Sequence, residues 1–199
     1  MQSAIDAFHT SIARAGHLGG LHDALLSLTT RAIDASDILR AQVVLGVSAM
    51  DYYIHEVTVL GMVEVFNGRR PATAAFRKYR VSIDSVMFND PNSGGGWFEA
   101  EVRERHSFLS FQQPDRIADA IRLFSETKLW LEVGLIMAMP EAAVKSRLKL
   151  IVDRRNKIAH EADLDPTYPG VRWPISKSDV EGALQFISQT CESIHSVVK

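Results

Sequence analysis

The 199 residues are 46% hydrophobic and carry 22 basic against 24 acidic side chains, a formal charge of −2. That length and apolar content suit one sizeable core, and the near-neutral balance excludes a polycationic nucleic-acid binder, so any contact with RNA must come from a local patch. A single cysteine, Cys191, excludes an intrachain disulfide framework and a multi-cysteine zinc site and fits a reducing cytoplasm.

Helical periodicity dominates, and no alternating apolar and polar stretch is long enough to suggest a sheet, which predicts an all-α chain. Helices are expected at about residues 3–15, 20–34, 36–65, 72–88, 96–108, 114–125, 140–161 and 178–197. The N-terminus carries Asp6 early and has no basic segment ahead of an apolar one, unlike a signal peptide. No uninterrupted apolar run approaches the roughly 20 residues that span a bilayer, so neither secretion nor membrane insertion is expected. No internal repeat or low-complexity tract divides the chain, and a single domain over 1–199 is expected.

In the segment from Ser36 to Val65, residues Leu39, Val43, Val47, Met50, Ile54 and Val57 share one sector, and most other positions are apolar or small. Such a helix belongs in the middle of a bundle. Asp51 and His55, four apart, lie on one stripe of it. Two readings stand: a polar pair satisfied within the bundle, or a group, Asp51, His55 or Glu56, that orients a catalytic arginine.

Between Arg69 and Arg80 lie five basic residues, Arg69, Arg70, Arg77, Lys78 and Arg80, and no acidic one. This is the best local candidate for contacts to an RNA backbone, with Phe76 and Tyr79 available to stack on unpaired bases. The alternative is a solvated basic helix whose two aromatics reach into the core. A loop is expected at Asn89 to Gly96; its three glycines are no phosphate-binding loop, because no lysine followed by serine or threonine comes at the required spacing. Arg103, Arg105 and His106 among Glu99, Glu101 and Glu104 read as a mixed surface face. Trp97, Trp130, Trp173 and Cys191 read as packing residues.

The helix expected at 140–161 carries Val144, Leu148, Ile151, Val152, Ile158 and Ala159 on one face, with Arg155 near its middle. An unpaired guanidinium does not sit in a dry core, so Arg155 must meet a carboxylate or open into a cleft or subunit interface. Lys149, Asp153, Lys157 and Glu161, at intervals of four, form an alternating-charge stripe facing water. Asn156 and His160 project together from its edge. A loop follows at 165–170, and Ser178 with Glu181 forms a capping-box pattern for the last helix.

An arginine and a histidine suffice for cleaving RNA. The first neutralises charge on a phosphorane, the second moves a proton, and the substrate's own 2′-hydroxyl is the nucleophile, so no metal and no cofactor is needed. The same residues also suit the last turn of a helix simply because cations oppose its dipole. Arg155 and His160 diverge by about 140° on an ideal helix. They share a site only if the helix frays or bends near His160 or if a second copy approaches across a two-fold axis, which favours a homodimer.

The block RRNKIAHEAD, with Arg155, Asn156 and His160 at an arginine-polar-(four residues)-histidine spacing, late in an all-helical chain and preceded by Asp51-Tyr52-Tyr53-Ile54-His55-Glu56, resembles the RiboL-PSP-type branch of the HEPN family. The resemblance covers about residues 20 to 198. It implies a HEPN-like helical bundle with additional helices, dimerised so that two motifs share a cleft, and a metal-independent endoribonuclease in a toxin–antitoxin, phage-defence or RNA-processing setting. Arg155 would stabilise the phosphorane, His160 would handle a proton and Asn156 would position the phosphate or polarise the site, giving 2′,3′-cyclic phosphate and 5′-hydroxyl ends. An antitoxin or regulatory protein is an implied partner. The resemblance also admits a non-catalytic interaction or nucleotide-binding module.

Overall fold

The computed structural model describes residues 1–30, 33–87 and 96–199. Its helices are α1 (Gln2–Leu28), α2 (Ser36–Phe66), α3 (Ile83–Met87), α4 (Gly96–His106), α5 (Pro114–Arg122), α6 (Leu129–Ile136), α7 (Glu141–His160) and α8 (Lys177–Val198), with a 3-10 turn at Phe76–Lys78. Among the described residues there is no strand, only an isolated antiparallel bridge between Leu164 and Arg172. The fold is an all-α helical bundle.

Helix α2 is its axis. It packs against α1, α4, α5, α7 and α8, and Val47, Met50, Tyr53, Ile54, Val57 and Met62 are fully buried along it. Its 18 most apolar residues pass for a membrane span by length and composition, but 56% of that stretch is buried against the other helices, as the middle helix of a bundle requires. Burial there pushes the Tyr53 phenol far above its ordinary pKa. A smaller cluster of Ala15, Leu39, Val43, Val180 and Leu184 joins α1, α2 and α8 beside the C-terminal half of α7, which contributes Ile158.

Four elements differ from the sequence expectations. Residues 3–15 and 20–34 are not two helices: α1 runs unbroken to Leu28 through Gly16, Gly19 and Gly20. Gly19 sits where α1 crosses α2, and a Cβ there would lie 3.2 Å from Gln42 Nε2, which donates to Ala15 O at 3.1 Å. Glycine thus permits a close helix crossing rather than marking a break.

Residues 72–88 are not one helix. Thr73 Oγ1 accepts from Phe76 N at 2.9 Å and donates to Leu123 O at 3.1 Å, so side-chain bonds tie this segment down where a helical ladder would otherwise run. Helix α6 was not expected from periodicity; it is short, and Gly134 in it lets the α6–α7 turn close, since a Cβ would lie 2.7 Å from Met139 O. The cap of α8 is Ser176, whose Oγ accepts from Asp179 N at 3.2 Å, and Ser178 falls inside the helix. Of the glycine-rich loop, positions 89–95 lie outside the described residues; Gly96 opens α4.

Candidate functional site

Helix α7 buries Val144, Leu148, Ile151 and Val152 and leaves Ala159, expected on that face, exposed. It keeps regular hydrogen bonding through His160, so it does not bend to bring His160 round to Arg155. The chain leaves it through two left-handed residues, Ala162 at φ 51° and Asp163 at φ 59°. Asp163 N returns to Lys157 O at 3.0 Å, which folds Asp163 back beneath the helix end.

That reversal builds an ion cluster. Asp163, 1% exposed, accepts on Oδ2 from Arg40 Nε of α2 at 2.7 Å and from Arg154 Nη2 at 2.9 Å. Arg40, 6% exposed, also donates to Ser36 Oγ at 2.6 Å and to Trp173 O at 2.8 Å. Arg154 reaches Trp173 O and Pro174 O as well. Burial pulls the Arg154 guanidinium below its ordinary pKa, Asp163 opposes that shift and Arg40 adds to it. Arg172 pairs with Asp34 and Asp37, and Lys157 Nζ lies 4.9 Å from the centre of the Trp173 ring. Arg40 and Arg172 therefore clamp the segment after α7 onto the start of α2, and Arg154 and Lys157 hold that segment to α7.

Arg155, the next residue, is used differently. It is half-buried and forms no ion pair among the described residues; its Nη1 donates to Asn156 Oδ1 at 3.1 Å, and its buried Nε has no partner. His160 is exposed at the end of α7, with no hydrogen bond or ion pair among the described residues. Arg155 and Asn156 are thus brought together within one chain, and His160 stands apart on another side of the same helix.

The residues expected to orient Arg155 are engaged elsewhere. Asp51 accepts from Phe111 N at 2.7 Å and from Gln112 Nε2 at 2.9 Å, and lies 3.9 Å from His55 Nε2. His55 packs on the Phe111 ring with centroids 4.5 Å apart. Glu56 accepts from Arg103 through both carboxylate oxygens, and this pair holds the Arg103 guanidinium above its ordinary pKa. Within the chain these three therefore fasten α4 and the 107–113 strap to α2.

Of the basic run, Arg70 pairs with Glu64 and lies over the Phe124 ring, whereas Arg69, Arg77, Lys78 and Arg80 are exposed with no ion pair among the described residues. Phe76 and Tyr79 are half-buried and both pack toward Phe98. Trp130 Nε1 donates to Pro114 O at 2.9 Å, and Cys191 is buried. Among the described residues no three His, Cys, Asp or Glu side chains cluster as metal ligands.

The sequence reading missed the roles of Arg40 and Asp163. Arg40 is the lone cation in the first turns of an otherwise apolar helix, a charge that needed an explanation. Asp163 closes the block RRNKIAHEAD, three residues beyond the motif histidine.

The all-α bundle, with arginine, an amide and histidine at the C-terminal end of its penultimate helix, agrees with the resemblance to HEPN domains. The chain belongs to the RiboL-PSP-HEPN family, which matches residues 20–199. No curated protein and no solved structure matched the chain.

Proposed function

We propose that this protein is a metal-independent endoribonuclease whose active cleft forms between two copies of the chain, each supplying Arg155, Asn156 and His160. HEPN membership supports a ribonuclease or nucleotide-binding role. The observation that carries the cleavage reading is Arg155: a half-buried guanidinium with no carboxylate partner, beside an Arg154 that is fully engaged. A cation kept free at such a site suits a phosphate.

In the proposed reaction the 2′-oxygen attacks phosphorus, forming the P–O2′ bond as the P–O5′ bond breaks. A neutral His160 takes the 2′-hydroxyl proton, and a solvent water gives one to the leaving 5′-oxygen. Arg155 stabilises the charge that builds on the equatorial oxygens, and Asn156, bonded to Arg155, holds it in place and donates its amide N–H to the phosphate. Because Arg155 and His160 diverge on a helix that stays regular to His160, the pair acting on one phosphate is taken from different chains. The setting is cytoplasmic, in a toxin, phage-defence or RNA-processing system restrained by an antitoxin or regulatory protein.

The same divergence favours the rival reading, a non-catalytic interaction or nucleotide-binding module, for a chain that remains monomeric. The test is cleavage of a mixed RNA pool in EDTA by wild type, Arg155→Ala and His160→Ala, with end-group analysis. The proposal expects cyclic-phosphate ends from wild type alone, with losses of about 10²–10³-fold for Arg155→Ala and about 10²–10⁴-fold for His160→Ala. Equal cleavage by all three, or none by wild type, rejects it.

A further inference from the structure

On the side of the bundle where the α4–α5 strap passes the 3-10 turn, a cavity of about 540 Å³ is lined by Tyr79, His106, Phe108, Phe111 and Arg116, with Ser110 and Asp119 as further polar groups. A volume of that size accommodates a small organic ligand. Leu109, Ala120 and Leu123 complete a largely apolar wall that carries one cation, Arg116. Phe108 is 90% exposed, an unusual position for a phenylalanine with no packing to gain, and Arg116 is exposed with no ion pair among the described residues.

The floor is held rigidly. His106 is only 3% exposed; its Nε2 lies 3.3 Å from Tyr79 Oη, and its buried Nδ1 has no partner in the protein. The His106 ring meets Phe111 edge-on at 5.5 Å, and Asp51 fixes Phe111 through its backbone N–H. Asp119, the one carboxylate at the wall, is paired with Arg122. In the chain, Tyr79 is flanked by Lys78 and Arg80, both exposed and free of ion pairs among the described residues. An exposed π-surface at Phe108, a free cation in the wall at Arg116 and two more beside Tyr79 in the chain are together the chemistry of a base-stacking platform beside a phosphate track.

We propose that this cavity is a nucleobase subsite, where one unpaired base of an RNA strand stacks on Phe108 while Lys78, Arg80 and Arg116 hold the flanking phosphates. It rests on the ribonuclease reading for the identity of the strand, and it gives the protein a means of choosing where on an RNA it binds. Charge complementarity selects RNA over an apolar peptide as the occupant.

The experiment measures affinity for short oligo(A), oligo(C) and oligo(U) across a salt series, in the His160→Ala chain so that no RNA is consumed. Phe108→Ala, an exposed change that leaves the fold intact, is expected to weaken at least one of the three about tenfold with the salt dependence unchanged. The double change Lys78→Ala and Arg80→Ala is expected to weaken all three alike and to lower the slope of log Kd against log salt by about 1.4. Unchanged binding of all three by Phe108→Ala overturns the proposal, as does a parent chain that binds none. Loss of self-association in Phe108→Ala with RNA affinity unchanged also overturns it, by making the surface a contact between copies. Base-dependent binding by a wild type that cleaves nothing would leave this subsite standing and remove the ribonuclease, whereas cleavage with no Phe108 effect would do the reverse.

Discussion

Arg154 and Arg155 are neighbours in the chain with opposite fates. Arg154 is tied to a buried carboxylate and two carbonyls, in a cluster that fastens the helix end to α2. Arg155, a turn of about 100° away, hydrogen-bonds through its side chain only to the adjacent amide among the described residues and keeps a buried nitrogen without a partner. A buried ion cluster whose every cation is satisfied is architecture; a half-buried cation without an anion is a place for one to arrive. Arg154 and Asp163 set the backbone at the end of α7, and on the proposed function that backbone presents Arg155, Asn156 and His160.

The sharpest way to break this distinction is to cut the cluster at its anion. Asp163→Ala leaves Arg40 buried without its carboxylate and places alanine at φ 59°, so a loss of about 3–5 kcal/mol is expected in urea unfolding. Arg155→Ala is expected to do the opposite, reducing cleavage about 10²–10³-fold while shifting unfolding stability by less than about 1 kcal/mol, because no ion pair is lost. Arg154→Ala, at a guanidinium partly open to solvent and with Arg40 still holding Asp163, is expected to cost about 1–2 kcal/mol in the same assay. If Arg154→Ala abolished cleavage in a fully stable protein, the division between the two arginines would be wrong.

The α4 side offers a pH test of the same contrast between held and free groups. Burial drives the His106 pKa from 6.5 down to about 4, with His55 and Arg105 adding to the fall. Its folded value lies below its unfolded one, so the unfolded chain binds the extra proton first; stability is complete above about pH 6.5 and declines toward pH 4. Stability measured from pH 7 to 4.5 is expected to fall about 2 kcal/mol further in wild type than in His106→Gln, which cannot take up that proton. The smallest effect is expected at the surface. Arg103→Gln, which breaks a partly exposed pair with Glu56, is expected to cost at most about 1 kcal/mol, less in high salt.

What the sequence made legible follows from how local each cause is. Helix α7 and the apolar α2 were readable because periodicity and burial coincide along their lengths, and the motif was readable because its spacing is short. The unbroken α1 was not, since Gly19 is explained by Gln42 on another helix and nothing nearby in sequence announces that crossing. The 72–88 segment misled because its composition suits a helix, while Thr73 and Ser82 divert its backbone through bonds to Leu123 and Glu101. For the site, Arg155, Asn156 and His160 could be picked out, but the partners of Asp51, Glu56 and Asp163 lie 60, 47 and 123 positions away, at Phe111, Arg103 and Arg40. Only the folded chain pairs them.

The most direct test of the central claim is complementation between two inactive chains. Arg155→Ala and His160→Ala proteins are co-expressed, the mixed assembly is purified through two different tags, and its RNA cleavage is compared with each parent alone. In a mixed pair one chain keeps its arginine and the other its histidine, so a cleft built across two copies retains one intact pairing. The account predicts that the mixed assembly makes cyclic-phosphate ends that neither parent makes. A stable mixed dimer as inert as its parents, beside an active wild type, would contradict it and confine the chemistry to one chain.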